Sequence, residues 1–168
     1  MKRLVTIMSI AALLTSVCAQ QPESIDTTGQ KTTVEKTAAE SAPKRILLAM
    51  EKTAFKQELI VQMQSSLASR GHNVTMVDNH KKQLNEHSAS DYDLVFITNS
   101  GVNSKVRPWV KDWLSANEQH KNRILLHTTQ TRDWEVEADV DVVTSASAKK
   151  NVKSLAATYT DKLLGLEQ

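Results

Sequence analysis

From Lys44 onward the chain alternates short apolar runs with amphipathic stretches of helix length, a pattern that restricts it to a parallel α/β sheet. Arg45 to Met50 is apolar after its first residue, as a strand covered on both faces requires. Phe55, Leu59, Ile60, Met63 and Leu67 then recur at helical spacing, and Gly71 after Arg70 gives a stop signal. Asn73 to Val77 reads as a shorter, partly polar strand suited to a sheet edge. Asp93 to Thr98, Arg123 to Thr128 and Val140 to Thr144 complete five strands. Pro108 suits the first turn of a helix whose inner stripe holds Val106, Trp109, Val110, Trp113 and Leu114. Its two indoles, one turn apart, are expected to pack on the sheet rather than stack on a ligand. Val152, Leu155, Ala156, Tyr159 and Leu163 mark a last helix. Ligands of such sheets lie beyond the carboxyl ends of the strands, so only those loops can carry chemistry.

The first 19 residues have the three parts of a secretory leader. Lys2 and Arg3 begin it, Leu4 to Leu14 is mostly apolar, and Val17-Cys18-Ala19 offers small residues before Gln20. This predicts Sec-type export to the periplasm or another extracytoplasmic space. The apolar stretch is shorter than the ~20 residues that span a bilayer, so no transmembrane anchor is expected in the mature chain. Cys18 leaves two fates open. Cleavage after Ala19 gives a mature chain without cysteine, which excludes disulfide and thiolate chemistry. Lipid attachment at Cys18 would tether it instead, although Val17 stands where such signals place a smaller residue.

Gln20 to Pro43 is rich in Thr, Ser, Gln, Lys and Glu, with Ile25 and Val34 its only bulky aliphatics. It is too polar to offset the entropy of ordering, so residues 20–43 are expected to be a disordered linker before a domain over 44–168. The full chain has 21 basic and 19 acidic residues, and the two basic residues of the leader account for the difference. A neutral domain without a long Lys/Arg run gives no reason to expect nucleic-acid binding.

The passage through Gly71-His72, Val77-Asp78 and Asp91-Tyr92-Asp93-Leu94-Val95-Phe96-Ile97 resembles a flavodoxin. So does the glycine-containing loop at Gly101, followed by Pro108-Trp109-Val110-Lys111-Asp112-Trp113-Leu114. The resemblance covers nearly all of Lys44 to Leu166. It implies a three-layer α/β/α sandwich with a five-stranded parallel sheet in the order 2-1-3-4-5. It also implies flavin mononucleotide, or another small anionic ligand, at the strand ends, and electron transfer to a protein partner yet to be identified.

Against the flavodoxin phosphate loop, Ser/Thr-x-Thr-Gly-x-Thr, this chain has Glu51-Lys52-Thr53-Ala54-Phe55-Lys56. Thr53 keeps its hydroxyl, but Ala54 replaces the glycine that permits close phosphate approach. Glu51 repels a phosphate unless a lysine screens it, and Lys52 and Lys56 are placed to do so. The resemblance puts the flavin ring against Asn99, Ser100 and Gly101 after the third strand, and against Thr129 and Trp134 after the fourth, although the Trp134 loop could instead fold back and bury its indole. Thr129 to Asp139 is short for a parallel crossover, so the helix usual there is expected to shrink to a turn.

Asp141-Val142-Val143-Thr144-Ser145-Ala146-Ser147 resembles the Asp-x-x-Ser/Thr-Gly-Ala-Ser/Thr signature of exported flavoproteins, which would make Ser147 a covalent flavin attachment point. Ser145 replaces the glycine, and the same residues also suit a plain helix cap. Other chemistries fail on sequence. A receiver domain needs an acidic pair after strand one and an aspartate after strand three, where this chain has Met50-Glu51 and Asn99. Asp78-Asn79-His80 begins like a cobalamin motif but follows the wrong strand. There is no dinucleotide glycine run, Walker loop or nucleophile elbow. His72, His80, His87, His120 and His127 lack metal-ligand spacing and are expected on the surface or at caps. No catalytic or metal-binding residue is assigned, and whether the chain is an enzyme stays open. Two functions remain: an exported flavin-binding redox module, or a non-catalytic envelope interaction module with the same fold and no cofactor.

Overall fold

The computed structural model describes residues 42–101, 105–131 and 136–166. The leader, and the linker up to residue 41, lie outside the described residues.

Strands β1 (Arg45–Met50), β2 (Asn73–Asp78), β3 (Leu94–Ser100), β4 (Ile124–Thr129) and β5 (Asp141–Ser145) form one sheet in the order β2-β1-β3-β4-β5. Every neighbouring pair is parallel, with Leu48 opposite Met76 and Phe96, Ile97 opposite Leu126, and Leu126 opposite Val142. This is the flavodoxin-like strand order, and with helices on both faces the chain has the flavodoxin-like α/β fold. The order puts polar β2 at an edge. The inner strands β1, β3 and β4 are buried almost throughout, which explains why their sequences are continuously apolar rather than alternating.

Strand residues of alternate parity feed two cores. Ile46, Leu48, Leu94, Phe96 and Leu125 meet α1 (Ala54–Ser69) and α4 (Val152–Leu164) on one face. Leu47, Ala49, Val95, Ile97 and Leu126 meet α2 (Lys81–Leu84) and α3 (Pro108–Ala116) on the other. The expected stripe of α1 is its buried face, and each such side chain contributes roughly 1.5–3 kcal/mol on leaving water.

Helix α1 ends as its sequence dictates. Gly71 takes φ 84°, its N–H bonds the Ala68 carbonyl at 3.0 Å, and the His72 N–H reaches back to Leu67 at 3.1 Å. That pair of bonds is the Schellman closure, which needs a left-handed residue at Gly71. Helix α3 starts on Pro108, and both of its indoles pack inward. Trp113 is 3% exposed and donates to the His87 carbonyl, while half-buried Trp109 donates to the Asn79 carbonyl.

Four strands shift at their boundaries, β2 running one residue further to Asp78 and β3 starting one residue later at Leu94. β3 runs on to Ser100, while β4 and β5 each start and end one residue later than the sequence pattern suggested. After β4 the described parts of the crossover, 130–131 and 136–140, contain no helix. Val136, Ala138 and Val140 instead pack against the α3-side core, so a segment without helix does the covering.

The histidines depart further from expectation. His127 is fully buried within β4 and His72 is nearly so, its Nδ1 accepting the Lys44 N–H at 3.3 Å. Apolar neighbours from α1, β3 and α4 on one face of the sheet, invisible in a local pattern, enclose His127 among Phe55, Phe96 and Tyr159.

Candidate functional site

Parallel winding brings the carboxyl ends of β1, β3, β4 and β5 to one rim, where two polar assemblies lie. The first is at the switch point between β1 and β3, from which the chain leaves to opposite faces of the sheet. Glu51, just past β1, has one carboxylate oxygen on the Lys56 ammonium and the other on the Arg107 guanidinium at 3.2 Å. Lys56 comes from the first turn of α1, is 1% exposed, and also donates to Ser100 Oγ at 2.6 Å. The backbone is closed around them. Glu51 N–H donates to Thr98 Oγ1 at 2.9 Å, and Thr53 N–H donates to the Glu51 carbonyl at 2.8 Å. The Thr53 hydroxyl caps α1 by accepting the Lys56 N–H.

Burial alone would raise the Glu51 pKa, but the hydrogen bonds from Lys56 and Ser100 and the charges of Lys56 and Arg107 outweigh it and hold it below its usual value. Lys56 is lowered chiefly by burial and also by Arg107, against the opposing pull of Glu51. The result is an ammonium–carboxylate–guanidinium bridge with one positive charge in excess.

The second assembly is a cavity of about 430 Å³. Ser100 and Gly101 line it from β3, Thr129, Gln130 and Thr131 from β4, and Ala146 and Ser147 from β5. Its volume falls within the roughly 300–1,000 Å³ of small-molecule sites. Its described lining is rich in hydroxyls and has no ionisable or aromatic side chain. The rim is stiffened by Gly101 N–H on the Thr129 carbonyl at 3.2 Å and Gln130 N–H on the Ser145 carbonyl at 3.1 Å. Ser100 joins the two assemblies, because its oxygen accepts from Lys56 while the residue faces the cavity.

Of the nine residues singled out in the sequence, Ser100, Gly101, Thr129 and Ser147 therefore share one cavity. Asn99 sits behind it, fully buried, accepting the Arg107 N–H at 3.0 Å and donating weakly to Thr128. Thr53 and Lys56 belong to the bridge. Lys52 turns away to pair with Asp78 at 3.0 Å, beside Met76 and His87. Trp134 lies outside the described residues.

Sequence reasoning missed Arg107, for which the only local signal was its place just before Pro108 at the start of α3. It also missed the pairing of His127 with Ser145, whose Nε2 and Oγ are 2.9 Å apart. This has the outline of a base–nucleophile pair but not its chemistry. Burial, and secondarily the Lys56 charge, lower the His127 pKa to about 3, far from the value near 7 that a general base needs. No described side chain orients its Nδ1. The described residues hold no cluster of three metal-ligating side chains and no helix long and apolar enough to cross a membrane.

The fold nominates flavin mononucleotide, whose phosphate needs free donors at the N-terminus of α1. The residues there do not fit that phosphate. Lys56 and Arg107 already hold a carboxylate and Lys52 pairs with Asp78, so each of these cations already faces a carboxylate.

No family model matches this chain, and no curated protein does. Solved structures do. A flavodoxin from the domain Archaea is 7% identical with a TM-score of 0.49, covering 74% of this chain and 99% of that one. Oxidised flavodoxin 2 from Bacillus cereus is 9% identical with a TM-score of 0.44, over 70% and 99% of the two chains. A response regulator protein from Burkholderia multivorans is 17% identical with a TM-score of 0.43, over 70% and 95%.

Proposed function

We propose that this flavodoxin-fold chain is an exported binding module for a small, uncharged, hydrogen-bonding ligand held at the ends of β3, β4 and β5. One observation carries the reading: hydroxyl-bearing residues from three successive strand ends surround a single cavity with no charged side chain among its described lining. Such a surface offers donors and acceptors without the desolvation cost of an ion. Export rests on the leader pattern of residues 1–19.

A flavin ring is the ligand that the fold nominates, and it has the right chemistry for these hydroxyls. The redox reading goes further, with flavin mononucleotide bound and electrons passed to a partner. Its support is the fold alone, and fold does not fix function. The occupied anion crevice counts against the phosphorylated form.

The test is to express the chain with its own leader, purify it, record its visible spectrum, and titrate it with riboflavin and flavin mononucleotide by fluorescence quenching. Quenching by riboflavin that Thr129→Val and Ser147→Ala weaken supports the cavity as a flavin site. Yellow colour that survives denaturation, and is lost in Ser147→Ala, supports covalent attachment at Ser147. No response to either flavin removes the flavin reading. A screen of neutral sugars and polyols that also leaves the protein unchanged removes the binding-module reading.

A further inference from the structure

We infer that Glu51 is the resident anion of the β1–β3 crevice, an internal carboxylate that keeps phosphate-bearing ligands out of a latent anion site.

The crevice has the general features of an anion site. It lies at a topological switch point, faces the first turn of a helix of 16 residues, and contains a buried ammonium and a guanidinium. All the expected cation partners are nevertheless engaged from within. Glu51 places one oxygen on each cation, and the Lys56 ammonium is further held by Ser100. A buried lysine needs such a counter-charge, because an unpaired ammonium out of water is expensive. The Glu51–Lys56 pair therefore satisfies itself without any ligand.

The carboxylate also repels a competitor. A phosphate that contacts Lys56 or Arg107 must come beside Glu51, and like charges at that range weaken binding by at least about tenfold even with screening. Glu51 is one residue past the strand, and its N–H is pinned to Thr98, so the backbone at its base is fixed. Replacing it by glutamine keeps the shape, keeps a hydrogen-bond acceptor, and removes the charge. Lys56 and Arg107 then carry two positive charges with no carboxylate between them.

The inference is independent of what the neighbouring cavity binds, because inorganic phosphate is the probe. In the full chain, thermal midpoints and calorimetric titrations are compared in phosphate and in chloride at equal ionic strength. Wild type is expected to show no phosphate-specific response. E51Q is expected to bind phosphate at least about tenfold more tightly than wild type, and the double variant E51Q/K56M to lose that gain. Phosphate binding by wild type as tight as by E51Q overturns the inference, and so does a gain that survives K56M. Should E51Q fail to fold, amide NMR of wild type decides: saturable phosphate shifts at Glu51, Lys56 and Ser100 overturn it, and unmoved amides uphold it. Riboflavin titration of the same samples separates this outcome from the fate of the cavity reading.

Discussion

Mild acid should destabilise this fold through His127 alone by an amount that can be worked out in advance. The imidazole is fully buried against Phe96, with ring centroids 6.0 Å apart, and against Tyr159 at 5.2 Å. Burial and the nearby Lys56 charge lower its pKa to about 3, from an ordinary value of 6.5. Between those values the unfolded chain takes up a proton that the folded chain refuses, so stability falls as pH falls. The contribution is complete above the unfolded value and is lost progressively down to the folded one. From about pH 7 to about pH 5 the loss is about 2 kcal/mol, governed by the unfolded pKa because the folded imidazole stays neutral throughout. That is a large share of the roughly 5–15 kcal/mol that holds a domain together.

The assay is urea unfolding at a series of pH values for wild type and His127→Phe, which keeps an aromatic ring in the same packing. Glu51 and Asp93, both with lowered pKa values, make their own contributions below their unfolded values, and these cancel in the comparison, as does that of His72. The wild-type curve should fall about 2 kcal/mol more than the variant's across that interval. Parallel curves would refute the reasoning. So would an NMR titration in which His127 of the folded protein protonates near pH 6, and that measurement stands even if the variant folds poorly.

Gly71→Ala should cost roughly 1 kcal/mol, read as a Tm lower by about 4 °C, because φ 84° is strained for any residue with a Cβ. No heavy atom lies within 4 Å of the added methyl, so Gly71→Asn, which tolerates that conformation better, should recover part of the loss. Asn117→Ala should cost about 2–3 kcal/mol in urea unfolding. The buried Asn117 amide accepts the Ala89 N–H at 2.8 Å and donates to the Trp113 carbonyl at 2.8 Å, tying the end of α3 to the turn before β3.

The fold was legible because its main determinant is one-dimensional. A strand sandwiched between helix layers must be apolar on both faces, so β1, β3 and β4 announce themselves as runs, and α1 and α4 as stripes of matching period. Gly71 and Pro108 mark ends for reasons of local backbone geometry alone. The boundaries of β4 and β5 slipped by one residue because hydrogen bonding between strands, not composition, sets where a ladder stops.

The site was legible only as a rim. Sequence named the loops that reach it, and thereby Ser100, Gly101 and Thr129 through the flavodoxin resemblance and Ser147 through the likeness of 141–147 to an attachment signature. It did not show that Lys52 turns to Asp78 while Lys56 turns inward, because their directions depend on β2 and β3, which are distant in the chain. Arg107 joins Glu51 across 56 residues, and His127 meets Ser145 only once β5 pairs with β4, and Tyr159 only once the last helix has closed over the sheet. Secondary structure and strand type follow from interactions within a few residues, which sequence determines by itself. Charge pairing and burial of polar groups depend on partners brought close by the winding of the whole sheet, and only the tertiary structure decides those.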